Sequence, residues 1–151
     1  MSQVTMKDIK KLRDKTGAGI MEVKKALEEA KGDEKKAKEI LRKQGLAKVA
    51  KRADKATGEG QIYSYIHNGG RAGAMVEVRC ETDFVARGND FQSLCKELAM
   101  QVVSMNPKDV EDLLKQEYIR DSSKKMGDLV KETAAKVKEN ITVKQMVRME
   151  L

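Results

Sequence analysis

The sequence predicts an α+β fold: an N-terminal three-helix bundle, a helical linker, then a small three-stranded antiparallel sheet packed with helices. Three observations carry this reading. Residues 1–45 repeat apolar side chains at three- and four-residue intervals, interrupted twice by glycine-containing turns. From Gly58 to Cys80 the period changes to two around Asn68-Gly69-Gly70, and from Ile141 to Leu151 it returns to two. Helices and strands that are segregated along a chain pack as α+β layers, whereas regular alternation would have pointed to a parallel sheet.

The first helix begins at Thr5, a capping residue, with Asp8 in its first turn and Met6, Ile9 and Leu12 along one stripe. Thr16-Gly17-Ala18-Gly19 breaks it and leaves the following pair Ile20-Met21 near the surface. Ile20, Val23, Leu27 and Ala30 mark a second helix, stopped by Gly32 and followed by Asp33 as a new cap. Ala37, Ile40 and Leu41 mark a third, expected to end at Gly45. Residues 1–45 thus read as one bundle. In residues 46–56 a thin stripe of Leu46, Val49, Ala50 and Ala53 on a Lys- and Arg-rich background suggests a helical linker.

Residues 57–151 read as the α+β core and as the part through which the protein dimerises. Ile62 to Ile66 and Ala74 to Cys80 flank a turn that requires positive φ, the mark of a hairpin. Ala74, Val76, Val78 and Cys80 form its buried face. A helix starting near Asn89 or Asp90 carries Phe91, Leu94, Cys95, Leu98 and Val102 inward and is stopped by Pro107. Val110, Leu113 and Leu114 follow, then a helix bearing Met126, Leu129, Val130, Thr133 and Val137, ended by Asn140. The last strand is expected to place Ile141, Val143, Val147, Met149 and Leu151 on one side and Lys144, Arg148 and Glu150 on the other. A sheet this small leaves a face or an edge uncovered, so self-association is expected.

Composition narrows the function classes. Residues 1–56 hold 17 Lys and Arg against 9 Asp and Glu, while residues 57–151 hold 14 against 15. The basic excess sits in the first third, suiting an acidic protein face or RNA phosphate, or simply a solvated helical surface. Aromatic stacking residues are nearly missing, which argues against single-strand recognition. Cys80 and Cys95 fall on buried faces and are too few for a disulfide framework or zinc site. His67, the one histidine, falls at the hairpin tip; no nucleophile has a base in register, and Thr16–Gly19 lacks the ending of a phosphate loop. No catalytic group, metal or cofactor is therefore expected. With no apolar signal core ahead of the first helix, a soluble, cytoplasmic protein without membrane contact is expected.

The junction between the second strand and the long helix reads Cys80-Glu81-Thr82-Asp83-Phe84-Val85. The chain has only two Phe, and one stands beside Asp83 in a polar turn. Either Phe84 tucks under the helix as core, the commoner habit of Phe, or it is exposed beside a carboxylate as a probe for a partner's pocket.

Two stretches also carry a resemblance. Leu12-Arg13, Thr16-Gly17-Ala18-Gly19-Ile20-Met21 and Val23 to Leu27 are similar to the N-terminal signature of the bacterial translation elongation factor Ts family, and Glu81-Thr82-Asp83-Phe84-Val85-Ala86 matches its core signature. The family is the guanine-nucleotide exchange factor for elongation factor Tu. The resemblance implies that residues 1–45 are a ubiquitin-associated-like bundle that binds the GTPase partner through Arg13, Ile20 and Met21. It also implies that Thr82, Asp83, Phe84 and Val85 disturb the partner's Mg²⁺ and phosphate site to promote GDP release. Longer members carry a second core subdomain, a coiled-coil insertion and a C-terminal helical module that are not matched here, and the region between Pro107 and Lys131 looks abbreviated. Short members pair two copies, which implies a homodimer or a two-to-two complex with elongation factor Tu. No direct nucleic-acid contact is expected; the alternative is a basic RNA- or ribosome-associated protein.

Overall fold

Helices come first and a mixed layer second in the computed structural model, which describes residues 4–151. The chain divides into two compact units, residues 1–51 and 52–151.

The first unit consists of α1 (Met6–Thr16), α2 (Ile20–Glu29) and α3 (Glu34–Lys51). Thr5 and Asp8 cap α1 reciprocally: the Asp8 amide donates to Thr5 Oγ1 at 3.2 Å and the Thr5 amide to Asp8 Oδ2 at 3.1 Å. Gly17 ends α1 in the left-handed region at φ 69°. Ile9, Leu12, Val23, Ala26, Leu27, Ala37 and Leu41 form the core, and each fully buried leucine contributes about 1.5–3 kcal/mol by leaving water. Lys11 and Lys15 of α1 both bond Glu34 at the start of α3 and hold its carboxyl at about 2.

The expected stop at Gly45 is not taken, because α3 runs on to Lys51 and absorbs the first half of the expected linker. A glycine inside a helix costs only about 1 kcal/mol relative to alanine, and here Lys43, Gln44, Leu46, Ala47 and Lys48, all good helix formers, surround it.

The second unit is built on a three-stranded antiparallel sheet of order β1-β2-β5. β1 (Glu59–His67) and β2 (Ala72–Cys80) form the expected hairpin, turned through Asn68, Gly69 and Gly70 at φ 54°, 63° and 90°. Gly60 opens β1 at φ 146°, where a Cβ would lie 2.1 Å from the Val78 carbonyl oxygen, so only glycine fits. Then come α4 (Asp83–Ala86), α5 (Asn89–Met105) and α6 (Val110–Lys115). After them follow β3 (Glu117–Tyr118), β4 (Asp121–Lys125), α7 (Met126–Val137) and β5 (Thr142–Glu150). α5 covers the inner face of the sheet with Phe91, Leu94, Cys95, Leu98 and Val102, all buried as expected. It starts at Asn89, as expected, with Gly88 as its N-cap, while α7 ends at Lys138 in the left-handed region, ahead of Asn140.

The β3–β4 hairpin has no counterpart in the sequence reading. Gln101, fully buried on α5, holds it: the Gln101 amide donates to the Glu117 carbonyl at 3.0 Å, and its Oε1 accepts from the Ile119 amide at 3.1 Å.

The last strand corrects one expectation. β2 pairs with β5 at Glu77↔Gln145 and then at Val78↔Val143, so Lys144 is an extra, bulged residue. Alternation reverses across it. Ile141 and Val143 are buried, but beyond the bulge Val147, Met149 and Leu151 point away from the core, while Met146 and Arg148 turn inward. Arg148 Nε donates to the Val103 carbonyl of α5 at 3.0 Å, so a residue expected on the solvent side lies against the helix layer.

Candidate functional site

The junction after β2 is a turn pinned at both ends and open in the middle. Thr82 keeps an extended backbone at φ −125°, ψ 153°, and its Oγ1 accepts from the Val85 amide at 3.3 Å, starting α4. The thiol of Cys80 donates to the Thr82 carbonyl at 3.1 Å; burial, reinforced by the nearby Glu139 carboxylate, pushes this thiol up to about 11. At the far end Ala86 is buried, and its carbonyl accepts from Gln92 Nε2 at 2.6 Å.

A second layer of contacts fastens the entry to the turn. The Glu139 carboxylate, in the connection from α7 to β5, accepts from the Glu81 amide at 3.0 Å, the Thr82 amide at 2.9 Å and the Thr82 hydroxyl at 2.7 Å. In exchange, the Glu81 carboxylate accepts from the Asn140 amide at 2.7 Å and takes both Arg52 Nε and Nη2, at 3.1 and 2.6 Å. The Arg52 guanidinium, and after it the Asn140 amide, holds the Glu81 carboxyl below the usual carboxylate range.

Between these anchors, Thr82, Asp83 and Phe84 are exposed and Val85 is half-buried. Phe84 is 81% exposed, so of the two readings its sequence context allowed, core packing is the one that fails. Asp83 is paired with Arg87 one turn on, at 2.7 Å, with both side chains mostly in water. Such a pair is worth about 0–1 kcal/mol, so a partner could displace it at little cost. Arg87 was findable from its i,i+4 spacing to Asp83. Glu139, Asn140 and Arg52 were not, since no local pattern marks a contact 57 residues away.

The other expected contact residues lie in the first unit, flanking the Thr16–Gly19 turn. Arg13, in the last turn of α1, is exposed and makes no ion pair with any described residue. Ile20 and Met21 open α2 at 46% and 63% exposure, while Val23, Ala26 and Leu27 form the buried face of that helix. They are surface residues whose loss the bundle would tolerate.

A third surface is the outer face of the sheet. Ile62 and Ile66 of β1, Met75 of β2, and Val147 and Met149 of β5 are all exposed, and the strand register sets them side by side. Gly73 adds to its flatness, because Ile66 Cδ1 lies where a Cβ at Gly73 would be, at 2.7 Å. An apolar strip of this kind is unusual on a solitary domain.

Catalytic chemistry finds less support. A shallow cleft between α5 and α7 gathers Asp90, Glu97 and Glu132, but these carboxylates are committed to Lys136, Arg120 and Lys124 at 2.9, 3.1 and 2.9 Å. His67 Nδ1 is hydrogen-bonded with the Tyr65 hydroxyl at 2.9 Å on the exposed hairpin. Among the described residues no group of three metal-binding side chains comes together, and no helix is long and apolar enough to cross a membrane.

The sequence profile described as Elongation factor TS matches residues 81–151, beginning at the Glu81 clamp. The chain is 40% identical over 196 residues to Elongation factor Ts of Oleidesulfovibrio alaskensis, covering 100% of this chain and 99% of that protein. It is 40% identical over 192 residues to that of Thermoanaerobacter sp. strain X514, with 97% and 94% covered. It is 42% identical over 197 residues to that of Prochlorococcus marinus strain AS9601, with 100% and 90% covered. These alignments are longer than the 151 residues of this chain, so the relatives carry segments it lacks. With identity of this level over essentially the whole length, the chain belongs to the elongation factor Ts family of translation elongation factors.

Proposed function

We propose that this protein is a guanine-nucleotide exchange factor that binds elongation factor Tu in its GDP form and speeds GDP release without covalent chemistry of its own. The observation that carries this reading is Phe84, an aromatic side chain 81% exposed on a turn anchored at both ends. An aromatic ring presented on an ordered turn is the kind of side chain that anchors a complex when a partner's pocket covers it. In this reading Phe84 and Val85 enter the partner beside its phosphate site, with Thr82 setting the turn. Asp83, released from Arg87, disturbs the surroundings of the partner's Mg²⁺ by repulsion and by competing for hydrogen bonds. Arg13, Ile20 and Met21 of the first unit supply a separate contact to the GTPase domain, which is the role assigned to residues 1–45. The energetics are those of linkage: by whatever factor the exchange factor weakens GDP binding, GDP weakens binding of the exchange factor.

The outer sheet face, within residues 57–151, is the surface for a second copy, giving a homodimer or a two-to-two complex with elongation factor Tu. The protein works in the cytoplasm, with no direct role for nucleic acid. The test is release of a fluorescent GDP analogue from elongation factor Tu with and without this protein; an unchanged rate at saturating concentration refutes the assignment.

A further inference from the structure

Phe84 is largely in water, so its placing depends on the backbone that carries it, and α4 is too short at four residues to be rigid by itself. From the crossed clamp at its entry we infer that Glu139 is a positioning residue, holding the Thr82–Phe84 turn in the conformation that presents the ring. One carboxylate satisfies three donors there: the Glu81 amide, the Thr82 amide and the Thr82 hydroxyl. The last contact reaches furthest. It fixes the rotamer of Thr82, whose oxygen accepts from the Val85 amide, so the first turn of α4 is aimed from Glu139 through Thr82. Asn140 and Arg52 stiffen the same point from the other side by gripping the Glu81 carboxylate, and the Asn140 side-chain amide also donates to the carbonyls of Ala53 and Lys55, at 3.2 and 2.9 Å. Without Glu139, Gln92 and buried Ala86 still hold the far end of the turn, leaving a hinge where there was a fixed support. A loop ordered before binding spares the complex the cost of ordering it afterwards.

The consequence for exchange rests on the reading of Phe84 given above, but the positioning itself can be measured without any partner. The chain contains no Trp, so Phe84→Trp places a single reporter at the tip of the turn. Time-resolved fluorescence anisotropy should show little fast local motion in Phe84→Trp and a clearly larger fast component in Phe84→Trp/Glu139→Ala. Thr82→Val, which removes the bond to Glu139 together with the cap on the Val85 amide, should move it further in the same direction, and Glu139→Gln, which keeps an acceptor for the amides, should restore most of the order. In the native background, Glu139→Ala should lower the maximal rate of GDP release by about three- to tenfold, as expected for a side chain that must now be immobilised on binding. Half-saturation should change less. Adding Glu139→Ala to Phe84→Ala should slow release no further. Unchanged anisotropy in Glu139→Ala overturns the inference, as does a loss that adds fully to that of Phe84→Ala. If the ring is mobilised but Phe84→Ala releases GDP at the native rate, Glu139 stands as the support of the turn and the role of the turn in exchange is what falls.

Discussion

Replacing Phe84 with alanine separates a residue used by the fold from one used only in a complex. A fully enclosed Phe side chain removes about 150–250 Å² from water. At 81% exposure only about a fifth of that, about 40 Å², is lost here, worth about 1 kcal/mol. Alanine's better helix propensity returns about 0.5 kcal/mol. The net cost is thus about 0.5 kcal/mol, or about 2–4 °C of melting temperature for a domain of this size, where a buried ring would have cost about 3–5 kcal/mol. Catalysed GDP release should respond far more, since an aromatic anchor seated in a partner's pocket is typically worth 2 kcal/mol or more, about thirtyfold in rate. The assay pairs thermal melting with stopped-flow release of a fluorescent GDP analogue from elongation factor Tu. Removing Mg²⁺ with EDTA beforehand should shrink the effect of the mutation. A large drop in melting temperature would show that the ring supports the fold after all, and full exchange activity at native stability would remove the turn from the mechanism.

Four further outcomes are expected. Met21→Asp should leave the helical content of the first unit unchanged by circular dichroism and weaken binding in a titration with elongation factor Tu, because the bundle core lies on the opposite side of α2; a folded variant of unchanged affinity would count against contact. Val147→Asp should keep the fold and turn a dimer into a monomer in sedimentation, whereas a native protein that is monomeric at every concentration, alone and in complex, would refute the pairing of sheet faces. The lowered titration of Glu81 stabilises the folded state above the ordinary carboxylate value of 4.5 and loses that contribution as the pH falls below it; melting at about pH 7 and about pH 3 should therefore show a smaller acid penalty in Glu81→Gln than in the native protein. Finally, with burial pushing Cys80 up to about 11 and Cys95 up to about 12, neither thiol should react with a disulfide reagent near neutral pH until denaturant is added, and rapid reaction of the native protein would contradict their burial.

Much of the architecture was legible because periodicity reports burial directly. The stripes of α1 and α2, the inward set Ala74 to Cys80 and the apolar face of α5 follow from spacing alone. What escaped was decided by contacts distant in sequence or by a single residue. Gly45 looks like a stop, but a helix crosses one glycine when good helix formers surround it. The β3–β4 hairpin carries little apolar signal and depends on Gln101, a buried polar side chain that binds it through hydrogen bonds. At the candidate site, the strand-to-helix junction and its odd Phe could be seen, and the motif drew attention to Thr82–Val85. Whether Phe84 was inside or outside could not be read from the chain, since that depends on what α4 and α5 leave uncovered. Glu139 looks like any solvated glutamate until the fold brings it to Thr82.

The bulge at Lys144 decides which side chains of β5 the outer surface of the sheet receives. Were Lys144 instead paired in unbroken alternation, Val147 and Met149 would turn under α5 and Arg148 and Glu150 would face water. The same strand, with the same composition, would then bring Lys144, Arg148 and Glu150 to the outer face beside Ile62, Ile66 and Met75. The hydrophobicity of the strand as a whole therefore does not tell which face of the sheet is apolar; the place at which its alternation is broken does.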